Sequence, residues 1–237
     1  MSTFRAGGGS SAPYESLNLA GHVGDLPARV TENRRRLLIA AGVPSAPAWL
    51  AQVHGTHVAD LDVADRTVLE PGTSVAPAPA DASVTGRRGC VCAILTADCL
   101  PMVLTADSGD RVAAAHVGWR GLAGGVIEAT VRALRLSPAG LLAWLGPAIG
   151  PRHFEIGSEV RDSLLAGDRG AAAAFVPNAR GRFMADLYAL ARRRLEAAGV
   201  SRIYGGGECT YADRERYFSH RRDGLTGRQA TLIWMEK

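Results

Sequence analysis

Four cysteines in 237 residues are too few for the disulfide framework of a small secreted domain. No apolar run approaches the ~18 residues that a membrane span requires. The N-terminal "MSTFRAGGGSSAPYESLNLA" lacks the apolar centre of a secretory signal. These absences lead us to expect a cytoplasmic protein that meets no membrane, with cysteines present as free thiols or metal ligands. A long basic tract is missing too. The net charge of +4 comes from scattered arginines, and "ENRRRL" and "ARRRLEAAGV" read as solvated helix faces, so nucleic acid is not an expected partner. A few arginines in a pocket would still suffice for phosphate. There is no internal repeat, which excludes a solenoid. The six histidines contain no His-x-His pair, which argues against a multicopper centre.

With 47% hydrophobic residues, the chain can bury one substantial core, and residues 1–237 are expected to form one domain. The Pro/Ala-rich "EPGTSVAPAPADASVT" is too short for an interdomain linker and reads as a surface loop. Helical spacing marks "PARVTENRRRLLIAAGV", closed by Gly42, together with "LAGGVIEATVRALRL", "SEVRDSLLAG" and "FMADLYALARRRLEAAGV". Strand patterns mark "PAWLAQVHGTHVADLD", "RVAAAHVGWRG" and "GLLAWLGPAIG". "GCVCAILTADCLPMVLTAD" reads as two strands interrupted at Ala97-Asp98-Cys99. The C-terminal stretch from "RIYGGG" reads as a strand, an irregular segment and a last strand. Helices and strands mix without strict alternation, which indicates an α+β sandwich.

His54, Cys99 and His116 each lie at or beside the interruption of a strand-like run, where a side chain can face a pocket. One thiolate and two imidazoles suit zinc, and three protein ligands leave a fourth tetrahedral position open, as catalytic sites do. The blander alternatives are packed histidines and a buried thiol. Cys90 and Cys92, two apart in an apolar run, read as packing, and Cys209 lies in a polar loop. Asp98 and Asp81 are candidates to orient a ligand histidine or to handle a proton. Gly118-Trp119-Arg120-Gly121 turns into a helix whose first N–H groups, with Arg120, are expected to favour an anion. "FSHRRDGLTGR" adds His220, Arg221, Arg222 and Arg228 in a turn whose simplest reading is a surface hairpin.

"QVHGTHV", "ADASVT", "ILTADCLPMVL", "AAHVGWRGLAGG", "LGPAIGPRHFEIGSEV" and "CTYADRERYFSHRRDGLTGRQATLIWM", in that order, closely resemble the laccase-domain or polyphenol oxidase family of YfiH type. The resemblance covers nearly the whole chain. It implies a four-layer α/β/β/α sandwich and metal ligation by His54, Cys99 and His116. It also implies phosphorolysis of adenosine, inosine and methylthioadenosine, with adenosine deamination, so that purine nucleoside and phosphate are the partners. Arg5, in a compressed version of the family's opening, and Arg222 become phosphate or substrate contacts by the same resemblance. Phe154 stands where the family more often has tyrosine. Three other readings compete. In one, copper in the same site oxidises phenols. In another, Cys99 is a nucleophile with His54 or His116 as base, acting hydrolytically on peptidoglycan precursors. In the third, the chain is a binding module without chemistry. Monomer and dimer are equally compatible with the sequence.

Overall fold

A computed structural model of the chain describes residues 1–63 and 79–236. Helix α1 (Pro27–Ala40) opens on a proline, whose missing N–H costs nothing there, and stops before Gly42 at φ +59°. Strands β1 (Val58–Asp60), β2 (Ala82–Thr85), β3 (Cys92–Thr96), β4 (Leu100–Ala106) and β5 (Val112–Val117) follow. Helices α2 (Trp119–Gly124) and α3 (Val126–Ala133) lead to β6 (Leu141–Leu145). Next come β7 (Glu155–Ile156), α4 (Ser158–Gly167), β8 (Phe175–Pro177), β9 (Phe183–Ala185), α5 (Leu187–Ala197) and β10 (Arg202–Gly205). The one-turn α6 (His220–Asp223) and β11 (Gln229–Ile233) close the chain.

Six strands form one mixed sheet in the order β1-β2-β5-β4-β6-β10, parallel at its two outer pairs and antiparallel within. β3 pairs antiparallel with β11, and β7, β9 and β8 make a small third sheet. Side chains in a strand alternate between faces, and the core follows that period. Leu100, Met102 and Leu104 of β4, with Ala113, Ala115 and Val117 of β5, bury against Leu122, Ile127, Val131, Leu164 and Leu190 from the helices. Val103, Val112 and Ala114 point the other way and meet Cys92 and Ile94 of β3. The opposite face of β3, Ala93 and Leu95, packs with Leu17, Leu19 and Leu37 of α1. The mixed α+β single-domain expectation holds. Among the described residues, no helix is long and apolar enough to cross a membrane.

Several elements differ from the sequence reading. "PAWLAQVHGTHVADLD" yields only the three-residue β1, because Asp81 draws Val53, His54 and Gly55 into a turn. Residues 70–78 of the expected surface loop lie outside the described residues, and its end, Ala82–Thr85, is the buried strand β2. The helix after β5 begins at Trp119 and breaks at Gly125, whose φ of +95° ends α2. Phe183–Ala185 is strand, and α5 starts only after Asp186, whose carboxylate accepts the Ala189 N–H at 2.9 Å as an N-cap. "FSHRRDGLTGR" forms one helical turn rather than a hairpin. Cys90 and Cys92 do pack, in the cluster between β3 and the large sheet.

Candidate metal centre and its cavity

Parity along β5 sends His116 to the same face as Val112 and Ala114, at the end of the strand, where it is 3% exposed. Its Nδ1–H donates to Asp81 Oδ1 at 2.8 Å, which leaves Nε2 as the free ring nitrogen. Asp81, fully buried at the entrance to β2, accepts three further bonds: from the N–H groups of Val53 (3.2 Å), His54 (2.9 Å) and Gly55 (2.6 Å). One carboxylate therefore orients one imidazole and folds the loop that carries another. That anchoring accounts for His54 holding φ +61°, a left-handed conformation that non-glycine residues seldom adopt.

Cys99 sits in the short link between β3 and β4. The preceding Asp98 takes φ +94°, and its carboxylate accepts the Thr210 hydroxyl and the Arg221 backbone N–H, both at 2.6 Å. Its carbonyl accepts the Ile149 N–H at 2.9 Å. Asp98 thus ties the Cys99 link to the C-terminal segment through bonds that use both its oxygens.

The three candidate ligands converge. Cys99 Sγ lies 3.8 Å from His54 Nε2, the two imidazole centroids are 4.7 Å apart, and the donor atoms of all three residues fall within 4.8 Å of one another. Gly118 supplies the space. A Cβ there would stand 2.9 Å from His54 Cδ2 and 3.1 Å from Cys99 Sγ. Burial pushes the Cys99 thiol up, but the imidazoles, His116 foremost, outweigh it and bring it down to about 6. Burial likewise lowers His116, but Cys99 and Asp81 raise it to about 9. Burial raises Asp81 as well, yet the bonds from His116 and the backbone hold it below the usual carboxylate range. A thiolate and two imidazoles, one tied back by a carboxylate through its other nitrogen, fit a borderline-soft divalent ion.

Cys99 and Gly118 also wall a cavity of about 170 Å³, completed mainly by Trp119, Ile149, Phe154, Leu187, His220 and Arg221, with Asp98 beside Cys99. Ile149 and Leu187 carried no chemical signal in the sequence and enter only through the fold. Trp119 is the first residue of α2, so the glycine-flanked stretch forms the helix's first turn instead of preceding it. With six residues before its break, α2 is too short to present the expected anion-binding terminus. Arg120 is exposed and lies 4.4 Å over the Trp119 ring.

The other two arginines expected at phosphate serve the fold. Arg222 donates through Nη1 to the carbonyls of Thr210 (2.7 Å) and Tyr211 (2.9 Å), and through Nη2 to that of Tyr217 (2.9 Å). Its Nε and Nη2 donate to the Asp223 carboxylate, so all five N–H donors are engaged. Arg5 reaches the carbonyls of Glu15 (2.9 Å) and Arg214 (3.1 Å) and lies 4.9 Å over Phe218, joining the N-terminal segment to the C-terminal one.

Known proteins resemble this chain over its full length. A purine nucleoside phosphorylase of Escherichia coli K12, named YfiH, is 50% identical over 234 residues, covering 99% of this chain and 92% of its own. One from Pseudomonas aeruginosa is 52% identical over 235 residues, with the same coverages of 99% and 92%. The crystal structure of a Neisseria meningitidis protein superposes with a TM-score of 0.91 at 44% identity, covering 100% of this chain and 93% of that one. YlmD from Geobacillus stearothermophilus gives 0.92 at 32% identity, with coverages of 100% and 91%. The family model described as multi-copper polyphenol oxidoreductase laccase matches residues 1–236, and the chain belongs to that laccase-domain family of YfiH type.

Proposed function

We propose that this chain is a zinc-dependent purine nucleoside phosphorylase of the cytoplasm. It would convert adenosine, inosine and methylthioadenosine to free base and sugar 1-phosphate, and deaminate adenosine as a side reaction. The observation that carries the reading is the shared wall: Cys99 and Gly118 border both the three-donor cluster and an apolar, aromatic cavity. The names of the Escherichia coli and Pseudomonas aeruginosa relatives support it.

In this reading His54, Cys99 and His116 hold the ion, which when bound supplies a Lewis-acid centre and acidifies water for deamination. Asp81 fixes both histidines, and Asp98 holds the Cys99 link. Trp119 and Phe154 offer aromatic faces to a purine, and the apolar walls exclude water and so strengthen every charge interaction inside. Phosphate must reach the sugar C1′ from the open side. Arg120, exposed beside the cavity wall, is its proposed contact, since Arg222 has all five donors on the fold and Arg5 gives Nε and Nη1 to backbone carbonyls.

A second reading has its own observation. A thiol brought to about 6 beside two imidazoles is also the state of a nucleophilic cysteine. Copper oxidation of phenols rests on the family's description alone, since the described residues contain a single group of three metal-binding side chains.

Elemental mass spectrometry on wild type and Cys99→Ala, with adenosine turnover measured with and without phosphate, separates these. Stoichiometric zinc that disappears in the variant, with phosphate-dependent adenine release, is expected. Activity in a wild type that carries no metal overturns the zinc reading in favour of the cysteine nucleophile. Phenol oxidation by protein purified with copper already bound, and no nucleoside turnover, overturns it in favour of the oxidase.

A further inference from the structure

Phosphorolysis leaves one requirement unmet by the residues assigned so far. The departing purine takes an electron pair, and a proton delivered to its imidazole ring makes it a far better leaving group. Four cavity-lining side chains can exchange or donate a proton: Asp98, Cys99, His220 and Arg221. Asp98 is engaged on both oxygens by Thr210 and Arg221. Cys99 is a proposed ligand. Arg221 gives Nη1 to the Glu155 carbonyl at 2.9 Å and lies 5.6 Å over Phe154, and a guanidinium is a hydrogen-bond donor rather than a proton donor.

His220 differs from all three. It begins the one-turn α6, set by Ser219, whose hydroxyl accepts the Arg222 N–H at 3.2 Å. Its Nδ1 lies 2.6 Å from the Gly224 carbonyl oxygen. A carbonyl only accepts, so Nδ1 must carry hydrogen, and Nε2 is the site where a proton comes and goes. Among the described residues, Nε2 has no hydrogen-bond partner.

We propose that His220 is the general acid that protonates the purine as it leaves, an inference that rests on the phosphorolysis reading above. The C1′–N9 bond breaks, its electron pair passes into the purine, and N7 takes the Nε2 proton. A phosphate oxygen forms the new bond to C1′. The phosphate enters as the monohydrogen dianion, and its remaining proton, released from the sugar 1-phosphate, restores the imidazolium. Charged groups adjoining the cavity-lining residues have partners of their own. Asp223 is paired with Arg222 at 2.7 Å, Glu155 with Arg180 at 2.7 Å, and Asp186 caps α5, while Arg120 stands beyond Trp119.

The test compares inosine with 7-methylinosine, whose ring already carries the positive charge and needs no proton to leave. His220→Gln and His220→Phe are assayed in the metal-loaded enzyme, with metal content checked in each. With inosine, both variants should lose about 100-fold in kcat/KM, and the limb of the pH profile due to the acid should disappear. With 7-methylinosine both should stay within about threefold of wild type. Equal losses on the two substrates, or no loss on inosine, overturn the assignment while wild-type phosphorolysis stands. Absence of phosphorolysis in metal-loaded wild type overturns the parent reading and this one together.

Discussion

Replacing Asp81 with asparagine tests whether one buried carboxylate organises the site. The carboxylate accepts four bonds, two on each oxygen: Oδ1 from His54 N and His116 Nδ1, Oδ2 from Val53 N and Gly55 N. An amide keeps one oxygen and turns an NH₂ toward the other pair of donors, so Asp81→Asn loses at least two bonds in a site without solvent. Each bond to a charged acceptor is worth about 1.5–3 kcal/mol, so the loss is at least ~3 kcal/mol. For a chain of this size, that is a fall in Tm of roughly 6–12 °C. Because this carboxylate is held below its usual range when folded, the stability it contributes is present above the ordinary carboxylate range. That share fades as pH drops through the lowered value, so the metal-free variant should lack this part of the wild type's acid destabilisation. Metal affinity should fall about 10–100-fold as both histidines lose their support. Thermal melts from pH 3 to 8 and competition with a chelator measure both effects. A variant within 2 °C of wild type and within twofold in metal affinity (limits set well inside those shifts) would refute the positioning role.

Gly118→Ala should weaken metal binding about tenfold or more by displacing His54 or Cys99. Its backbone, at φ −76°, accepts alanine, so a chelator competition that matches wild type would show that the close approach is immaterial. Arg222→Ala should cost about 2–4 kcal/mol through the abandoned carbonyls and Asp223 while leaving the phosphate KM unchanged. A raised KM at unchanged Tm would return Arg222 to the substrate. In metal-free protein, iodoacetamide should alkylate Cys99 with an apparent pKa near 6, because the thiolate predominates above that value. Mass spectrometry across pH 5–9 reads the rate, and zinc should protect. A reaction that rises only above pH 8 would contradict the imidazole effect.

Interrupted strands made the donor cluster legible in the sequence. Cys99 stands where an apolar run breaks, and that break is physical: Asp98 leaves the extended region at φ +94° to end one strand and begin another. Asp81 was visible only as one of two acids of uncertain purpose, because three of its four donors are backbone N–H groups from a loop 26–28 positions away. Arg222 misled for the same reason, since three of its acceptors are carbonyls and composition says nothing about where carbonyls point. Other errors had readable signals. The adjacent glycines in "LAGGV" marked the end of α2, and Asp186 in "FMADLY" had the chemistry of a helix cap.

His54 and Cys99 are 45 positions apart, and His116 belongs to a third segment, so the ligand set exists only once β2, β4 and β5 have paired. The unfolded chain holds no equivalent chelate. Any ion gripped by the trio therefore pulls the folding equilibrium by mass action, by about 4.1 kcal/mol when free metal stands at a thousand times the dissociation constant. Free metal concentration becomes a thermodynamic variable of the fold itself. A melting temperature measured on this protein is then defined only together with the metal activity of its buffer.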